Sequence, residues 1–142
     1  DEPTTALDVT IQKQIMDLID EIKREFKTTI LLISHDLALV SNYADNISVM
    51  YAGHIVEEAP AQEFFKKPKH PYSIALLNSL PDKNPALKLK TIEGAPPSIQ
   101  EKIFGCKFHP RCEFFRAGIC DKQEPKLVEK SIYHCSACFM NL

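Results

Sequence analysis

The chain has 142 residues, of which 44% are apolar and 25% are charged, and its formal net charge is −2. This length fits one ordinary domain or a small domain with an extension, and the composition argues against intrinsic disorder. No apolar run approaches the roughly 18 residues of a membrane-spanning helix, no secretory signal is predicted, and the small net charge gives no general basic field for nucleic acid.

Charge, proline and cysteine are unevenly divided along the chain. Residues 1–60 carry 4 basic and 11 acidic side chains, whereas residues 61–142 carry 13 basic and 8 acidic ones. Nine of the ten prolines lie at or after Pro60, and all five cysteines lie between Cys106 and Cys138. These shifts predict two domains, one over residues 1–60 and the other over residues 61–142.

The first half has the pattern of an α/β fragment. Asp8 is a good N-cap residue, and apolar residues follow it at spacings of three and four, which predicts an amphipathic helix over roughly residues 9–27. The run Thr28–Ile33 is typical of a strand buried on both faces. Because such a strand needs neighbours on both sides, we expect a mostly parallel sheet that ends in antiparallel strands, in a piece of a larger protein. A short helix is predicted next, over about residues 36–43. It is followed by a hairpin whose two strands cover about residues 47–51 and 55–58.

Two motifs in this half carry a family resemblance. The sequence from Asp1 to Asp8 resembles the end of the Walker B motif and the D-loop of ATP-binding-cassette (ABC) ATPases, with Thr5 in place of the usual serine. Ser34-His35-Asp36 resembles the switch-histidine loop of that family, and one helix and one strand separate the two motifs, as they do there. The resemblance implies the C-terminal part of a P-loop NTPase sheet with flanking helices.

The resemblance also implies roles for four residues. Asp1 would bind Mg²⁺, Glu2 would act as the general base on the attacking water or orient it, and His35 would contact the γ-phosphate of ATP. Asp8 would reach across a dimer interface towards the site of a second ABC ATPase subunit. From residue type alone, His35 is equally well explained as a surface histidine, and Asp8 as a helix cap.

The phosphate-binding motif of this enzyme class does not occur in the sequence. There is no Gly-x-x-x-x-Gly-Lys-Ser/Thr loop, and therefore neither its backbone cradle nor its lysine for the β- and γ-phosphates. The signature helix of the family is not found either. We therefore expect the catalytic end of an ATP site without its binding end, and predict that the 142-residue chain alone is inactive.

The second half carries motifs of a narrower group. Short helices are predicted over Ala61–Lys67 and from Pro71 onwards, because proline suits the first position of a helix. His70-Pro71-Tyr72, followed by Leu76-Leu77 and Pro81, resembles the extension of the ATPase subunits of oligopeptide and dipeptide importers. The segment Ile92–Pro97 is expected to be a strand or extended piece that ends in a rigid turn.

The five cysteines follow in the spacing C-x5-C-x7-C-x14-C-x2-C. The sequence from Gly105 to Cys112 resembles a cysteine signature of the same importers, in many of which four cysteines are associated with an iron–sulfur cluster. Thiolates also suit zinc, but the wide spacing of the first three cysteines favours a large cluster over one small ion. The metal ligands that we predict for one 4Fe–4S cluster are Cys106, Cys112, Cys120 and Cys138.

Cys135 is expected to be a bystander in a small, loop-rich, cysteine-containing C-terminal domain. The resemblance decides between the last two cysteines, because a family histidine stands four residues before the final ligand, as His134 does before Cys138. Cys135 then takes a position that is usually basic in the family.

The sequence predicts an ATP-hydrolysing, energy-coupling subunit of an ABC importer for oligopeptides or dipeptides. Its expected cofactors are ATP, Mg²⁺ and the 4Fe–4S cluster, with zinc as the alternative metal. Its expected partners are a second ABC ATPase subunit, transmembrane permease subunits and peptide delivered by a binding protein, at the cytoplasmic face of the cell membrane. Nucleic acid is not an expected partner.

Two other classes of protein were weighed against the importer subunit. A stand-alone zinc or iron–sulfur module without ATPase activity, acting in regulation or protein contact, is favoured only if Asp1-Glu2 and His35 are coincidental. A disulfide-stapled secreted domain is a poor fit, because five cysteines leave one unpaired.

Overall fold

The structure, a computed structural model, describes residues 1–80, 92–98 and 101–141. The chain divides into two compact units, Asp1–Ala44 and Asp45–Leu142. The domain boundary that composition predicts near residue 60 stays a prediction. The compact units divide earlier in the chain, so the hairpin shares a unit with the cysteine region. The helices and strands, in chain order, are α1 (Val9–Phe26), α2 (Leu37–Tyr43), β1 (Asn46–Tyr51), β2 (His54–Pro60), α3 (Ala61–Lys66), α4 (Pro71–Asn78), β3 (Val128–Ser131) and β4 (His134–Ser136).

Helix α1 begins and ends where local chemistry directs. The Asp8 carboxylate accepts hydrogen bonds from the backbone N–H groups of Thr10 and Ile11, both at 3.0 Å, and so satisfies two donors that have no partner inside the helix. The helix ends at Phe26 and is followed by Lys27, the C-cap residue, whose backbone is left-handed with φ of 48°. The predicted helix is confirmed, with a boundary one residue earlier than the pattern indicates.

The loops around α1 are tied to it by side chains. The Gln12 amide donates to the Thr4 hydroxyl at 3.0 Å and to the Asp36 carboxylate at 3.4 Å. Asp36 also caps α2 through the backbone N–H groups at its start. The Tyr43 hydroxyl donates to Asp17 at 2.8 Å, and this bond is the main cause of the raised pKa of Tyr43. The two helices and both motif loops therefore form one connected unit.

The buried strand predicted over Thr28–Ile33 is not formed, and that prediction was wrong. The segment is mostly exposed, with Leu31 at 86% of its full accessibility. A strand is defined by hydrogen bonds to a neighbouring strand. No strand is present among the described residues of the unit Asp1–Ala44. The apolar sequence is present, but the pairing partners that would make it a strand are not.

The sheet lies in the second unit and is antiparallel throughout, with strand order β1-β2-β4-β3. Strands β1 and β2 form the predicted hairpin, turning through Ala52 and Gly53, which both have positive φ. Side chains of β1 alternate between buried and exposed, so one face of the hairpin packs inward. The predicted α/β class is confirmed, whereas the parallel part of the expected sheet is not found among the described residues.

An aromatic cluster holds the hairpin, α4 and the cysteine region together. The ring of Tyr51 lies 4.7 Å from that of Tyr72 and 5.2 Å from that of Phe108, measured between centroids. Phe108 is nearly inaccessible, and its ring is also tilted against that of Tyr72, with 5.3 Å between the centroids. The half-buried Tyr of the His-Pro-Tyr triplet therefore packs against two buried aromatic residues of the core.

The predicted segment Ile92–Pro97 forms no regular strand in its described residues. The Arg111 guanidinium instead binds its backbone, donating to the carbonyls of Glu93 and Gly94 at 2.8 Å each. Pro81, with which the importer-like motif ends, lies outside the described residues. Over the described ranges, the chain contains no helix with the length and apolarity needed to cross a membrane.

Candidate functional site

Glu2 and His35 lie side by side in the first unit, although 33 residues separate them in the chain. The His35 Nδ1 atom is 2.8 Å from one Glu2 carboxylate oxygen, and the Thr5 hydroxyl donates to the other oxygen at 2.9 Å. These two bonds, with His35 the larger cause, lower the pKa of Glu2 below its ordinary value. The carboxylate is therefore ionised at neutral pH and oriented on both of its oxygens.

The backbone fixes this pair as firmly as the side chains do. The Glu2 N–H donates to the Ile33 carbonyl at 2.8 Å, which places Glu2 directly beside the start of the Ser-His-Asp loop. Glu2 and Ala6 both have left-handed backbones, with φ of 40° and 64°, a strained conformation for residues with a side chain. The tight turn between them directs the carboxylate towards His35.

The pair opens onto a polar hollow that is also lined by Thr4, Ser34 and Asp36. Such a hollow offers hydroxyl groups and an imidazole to an anion, and a fixed carboxylate to a water molecule. Asp1 and Asp8 are not among the described residues that line it. Asp1 is exposed, and the Asp8 carboxylate is engaged as the cap of α1. The structure thus brings together two of the four residues that the first-half motifs single out.

Four cysteines line one cavity in the second unit. Its walls also include the aromatic ring of Phe108 and the ring of His70. Cys135 is not among the lining residues, because it lies in β4, where its backbone faces Glu58 of β2 and Glu129 of β3. The cavity is lined by Cys106, Cys112, Cys120 and Cys138.

Gly105 permits a close backbone approach at this cavity, and sequence reasoning gave it no such role. The Cys106 N–H donates to the Cys120 carbonyl at 2.8 Å, which joins the first and third cysteines. Gly105 has φ of 69°, and a Cβ atom built there would lie 2.3 Å from the same carbonyl oxygen. Only glycine fits, because any side chain would push the two cysteine segments apart.

The Cys120 residue is buried, the other three cavity cysteines are half-buried, and all four are free thiols. Burial is the main cause that raises the pKa of Cys106, Cys112 and Cys138, in the case of Cys112 to about 11, and the neighbouring thiols raise it further. Hydrogen bonds to sulfur act in the opposite direction, from the backbones of Phe108 and His109 to Cys106, of Phe114 to Cys112 and of Met140 to Cys138. In residues 1–80, 92–98 and 101–141, no three His, Cys, Asp or Glu side chains form a group that could hold one metal ion.

A buried polar cluster adjoins the cavity, and it was missed by sequence reasoning. Glu57 is fully buried and accepts hydrogen bonds from the backbone N–H groups of Lys69, at 2.6 Å, and His70, at 2.9 Å. The His134 Nε2 atom lies 2.6 Å from the same carboxylate. Glu57 therefore joins β2, the start of α4 and β4. The sequence contains one indication of this role: the acidic Glu57 directly follows the apolar Val56 within a predicted strand.

His70 is the second histidine of this cluster. Its Nδ1 atom accepts a hydrogen bond from the Tyr72 N–H at 3.1 Å and so caps α4. Burial lowers the pKa of His70 to about 4, against opposing contributions from the Glu57 charge and the Ala137 backbone. The ring is therefore neutral at physiological pH.

Comparison with known proteins identifies relatives along nearly the whole chain. Residues 56–120 match the family model for the C-terminal region of oligopeptide/dipeptide transporters. A probable peptide ABC transporter ATP-binding protein of Sinorhizobium fredii is 45% identical over 98% of this chain and 42% of its own length. The oligopeptide transport ATP-binding protein OppD of Salmonella typhimurium is 46% identical over 98% of this chain and 41% of its own length. The dipeptide transport ATP-binding protein DppD of Haemophilus influenzae is 48% identical over 89% of this chain and 38% of its own length.

The antiparallel hairpin with its flanking helices, taken with these matches, defines the class as the C-terminal region of an ABC ATPase. More narrowly, the chain is similar along nearly its whole length to ATP-binding proteins of oligopeptide and dipeptide ABC transporters, and residues 56–120 match the C-terminal region of that transporter family. The family predicted from the motifs is thereby confirmed, and the matches through both halves do not favour a stand-alone metal-binding module. The chain spans about two fifths of the length of these relatives.

Proposed function

We propose that this chain supplies the catalytic part of an ATPase that energises the import of oligopeptides or dipeptides. The observation that carries the proposal is the Glu2–His35 contact of 2.8 Å at a polar hollow. The relatives support the transport role, since their names describe ATP-binding proteins of peptide, oligopeptide and dipeptide transport. ATP binding would close two such subunits on each other, and hydrolysis would let them reopen.

Glu2 is the proposed general base. Its carboxylate is ionised and held on both oxygens, so it is able to orient a water molecule and accept its proton as the water attacks phosphorus. Asp1, one residue earlier, would hold Mg²⁺, because hard divalent cations prefer carboxylate oxygens, and the ion would neutralise charge on the phosphates. Each step is chemistry that the residue types permit at these positions.

His35 is the proposed sensor of the γ-phosphate. Its Nδ1 atom faces the ionised carboxylate of Glu2 and therefore carries a proton, which leaves Nε2 as the second polar atom of the ring. A phosphate oxygen near Nε2 favours the imidazolium form, which donates from both nitrogens. The histidine would then bind the phosphate and the base at the same time, and it would lose one contact when phosphate leaves.

Coupling of ATP hydrolysis to transport would require partner chains. Asp8 caps α1 and, in this proposal, also couples the site to a second ABC ATPase subunit. Transmembrane permease subunits would convert closure into transport, and a binding protein would deliver the peptide. The ATPase would then sit peripherally at the cytoplasmic face of the membrane.

The transport proposal is tested with the complete transporter in lipid vesicles. Labelled dipeptides and oligopeptides should accumulate only when ATP is supplied on the side of the ATPase, and they should stimulate hydrolysis. Hydrolysis that no peptide stimulates, together with no ATP-dependent peptide uptake, would reject the peptide-import proposal.

We propose further that the four cavity cysteines bind one 4Fe–4S cluster, which stabilises the fold of the cysteine region, residues 106–138. Three features support this: the donor set consists of thiols, four of them surround one cavity, and backbone N–H groups donate to three of the sulfurs. The raised pKa values of Cys106, Cys112 and Cys138 also mean that a bound cation would supply the charge that stabilises their thiolates. A cluster fits a cavity with dispersed thiols better than a single zinc ion does.

Protein purified without oxygen should be brown and contain close to four iron and four sulfide per chain. Cys138→Ser should lose iron, and Cys135→Ser, its matched control, should keep it. A colourless protein with one zinc and no iron would reject the cluster, and iron loss in the Cys135→Ser variant would reject the ligand set.

A further inference from the structure

His70 stands at the wall of the thiol-lined cavity, held from several sides. Its side chain is 1% exposed, its ring lies 6.0 Å from that of Phe108, and its own N–H donates to Glu57. The ring is one of the few polar groups among the residues that line the cavity. Its orientation is therefore set by the fold.

The hydrogen bonds of His70 determine which ring nitrogen carries the proton. A backbone N–H only donates, so the bond from Tyr72 requires a lone pair on Nδ1. In the neutral ring the proton is then on Nε2. Among the described residues, the Ala137 backbone lies near enough to raise the pKa of this ring, but Nε2 is fully buried and makes no hydrogen bond of ordinary geometry. A buried donor that lacks an acceptor is costly, which indicates that something at this position accepts from it.

We propose that the Nε2–H group of His70 donates a hydrogen bond to a metal-bound sulfur in this cavity. The acceptor would be a cysteine thiolate or a bridging sulfide, and the inference rests on the cluster proposed above. Hydrogen bonds to the sulfurs of a cluster withdraw negative charge and favour its reduced form. His70 is in this view a positioning residue that tunes the cluster and is not one of its ligands.

A second histidine lines the same cavity and provides an internal control. The His109 Nδ1 atom lies 2.9 Å from the Cys106 carbonyl, which only accepts, so this nitrogen carries the proton. The Nε2 atom of a neutral His109 is then an acceptor and has no hydrogen to give to sulfur. The two histidines are therefore equivalent in residue type and opposite in tautomer.

The first test compares three variants of the complete protein, purified without oxygen. In His70→Asn the side-chain oxygen replaces the cap acceptor, but the side chain is too short to place a donor where Nε2 was. In His70→Gln a donor is restored near the Nε2 position. We expect a more negative midpoint potential in His70→Asn, partial recovery in His70→Gln, and a smaller shift in the comparison variant His109→Asn, whose ring has no hydrogen to give to sulfur.

The second test needs no variant and guards against misfolding. In wild-type protein labelled with histidine that carries ¹⁵N only in its imidazole ring, pulsed EPR of the reduced cluster should detect one weakly coupled nitrogen, as a hydrogen bond gives. A strong coupling, as a ligated nitrogen gives, would overturn the proposal, and so would no coupling.

The outcomes separate this inference from the proposal beneath it. Wild-type protein without iron and sulfide would overturn both. A normal cluster whose potential shifts no more in His70→Asn than in His109→Asn would overturn the role of His70 alone. Iron loss from both His70 variants, with wild-type helix content by circular dichroism, would make His70 a ligand and also overturn the proposal.

Discussion

At the scale of single residues, the pKa of Glu2 is determined mainly by its hydrogen bonds to His35 and Thr5 and much less by its exposure. A lowered pKa means that the folded form keeps this carboxylate ionised to a lower pH than an unfolded chain does. The stabilising effect is present above the ordinary pKa of glutamate and is lost as pH falls through the lowered one. The same bonds that keep the base charged also point it at the hollow.

Removing the histidine tests this arrangement. In the complete protein, His35→Ala should lower the rate of ATP hydrolysis by ~10²-fold, because both the orientation of Glu2 and the contact with phosphate are lost. Steady-state phosphate release measures the effect. His54→Ala is the matched control, since His54 is a half-exposed histidine 3.2 Å from a carboxylate, that of Glu124, in the other unit. Equal rates in the two variants would remove His35 from the site.

The titration of His70 is a second prediction at this scale. A histidine whose folded pKa is about 4 binds fewer protons than the unfolded chain, with its ordinary value of about 6.5, between those two pH values. Stability should therefore rise with pH across that window, by roughly 3 kcal/mol from this group. NMR of the ring C–H signals should give a midpoint near 4, and His70→Asn should show a weaker pH dependence of unfolding. A midpoint at the ordinary value would contradict the burial that the structure gives this ring.

At the scale of elements, Glu57 joins pieces that lie far apart in the chain. Its carboxylate receives two backbone N–H groups from the entry to α4 and faces His134 in β4. Without a carboxylate at this point, β4 would lose its side-chain hydrogen bond to β2 of the hairpin, and only the backbone pairing of the two strands would remain. The tail is therefore integrated with the hairpin by a buried ionisable group and by the sheet.

Glu57→Gln should lower the free energy of unfolding by about 2–4 kcal/mol, because an amide donor then faces groups that are themselves donors. Chemical denaturation monitored by circular dichroism measures this change. Glu58→Gln is the matched control on the same strand, where the carboxylate accepts from Ser48 on the more exposed face, and its effect should stay within ~0.5 kcal/mol. A similar loss in both variants would mean that the buried cluster adds nothing.

The close approach at Gly105 gives another prediction for this scale. Gly105→Ala should destabilise the cysteine region strongly and lower its metal content, because the new Cβ would collide with the Cys120 carbonyl. Gly118→Ala shares the positive φ, at 80°, but meets open space, so only the ordinary cost of about 1 kcal/mol is expected. Melting temperature and iron analysis of the two variants distinguish collision from backbone strain. Equal effects would show that the contact is not limiting.

Sequence predicted the elements whose signals are local. The cap at Asp8 with its apolar stripe predicts α1, and the Ala52-Gly53 turn predicts the hairpin, because each signal lies within a few residues of its effect. The run Thr28–Ile33 was misjudged, since its strand character depends on partners far away. The role of Glu57 and the pairing of β4 with β2 were missed for the same reason, because long-range contacts leave little trace in local pattern.

At the scale of the whole molecule, the chain contains two candidate sites, one in each compact unit. The first unit holds the carboxylate–histidine pair, and the second holds the thiol-lined cavity. The sequence contains no phosphate-binding loop, so the proposed ATPase depends on residues outside these 142 for much of its affinity for ATP. Sequence motifs predicted both sites, but family resemblance and not periodicity provided the roles of their residues.

The most direct test of the central claim measures ATP binding and ATP hydrolysis in one variant of the complete protein. Glu2→Gln should bind ATP with near wild-type affinity and hydrolyse it ~10²–10⁴-fold more slowly, because the base is lost while the fold and the other contacts remain. Glu25→Gln, on the exposed surface of α1, serves as the control and should behave as wild type. Near-normal turnover in Glu2→Gln would contradict the claim that this chain carries the catalytic base of the transporter.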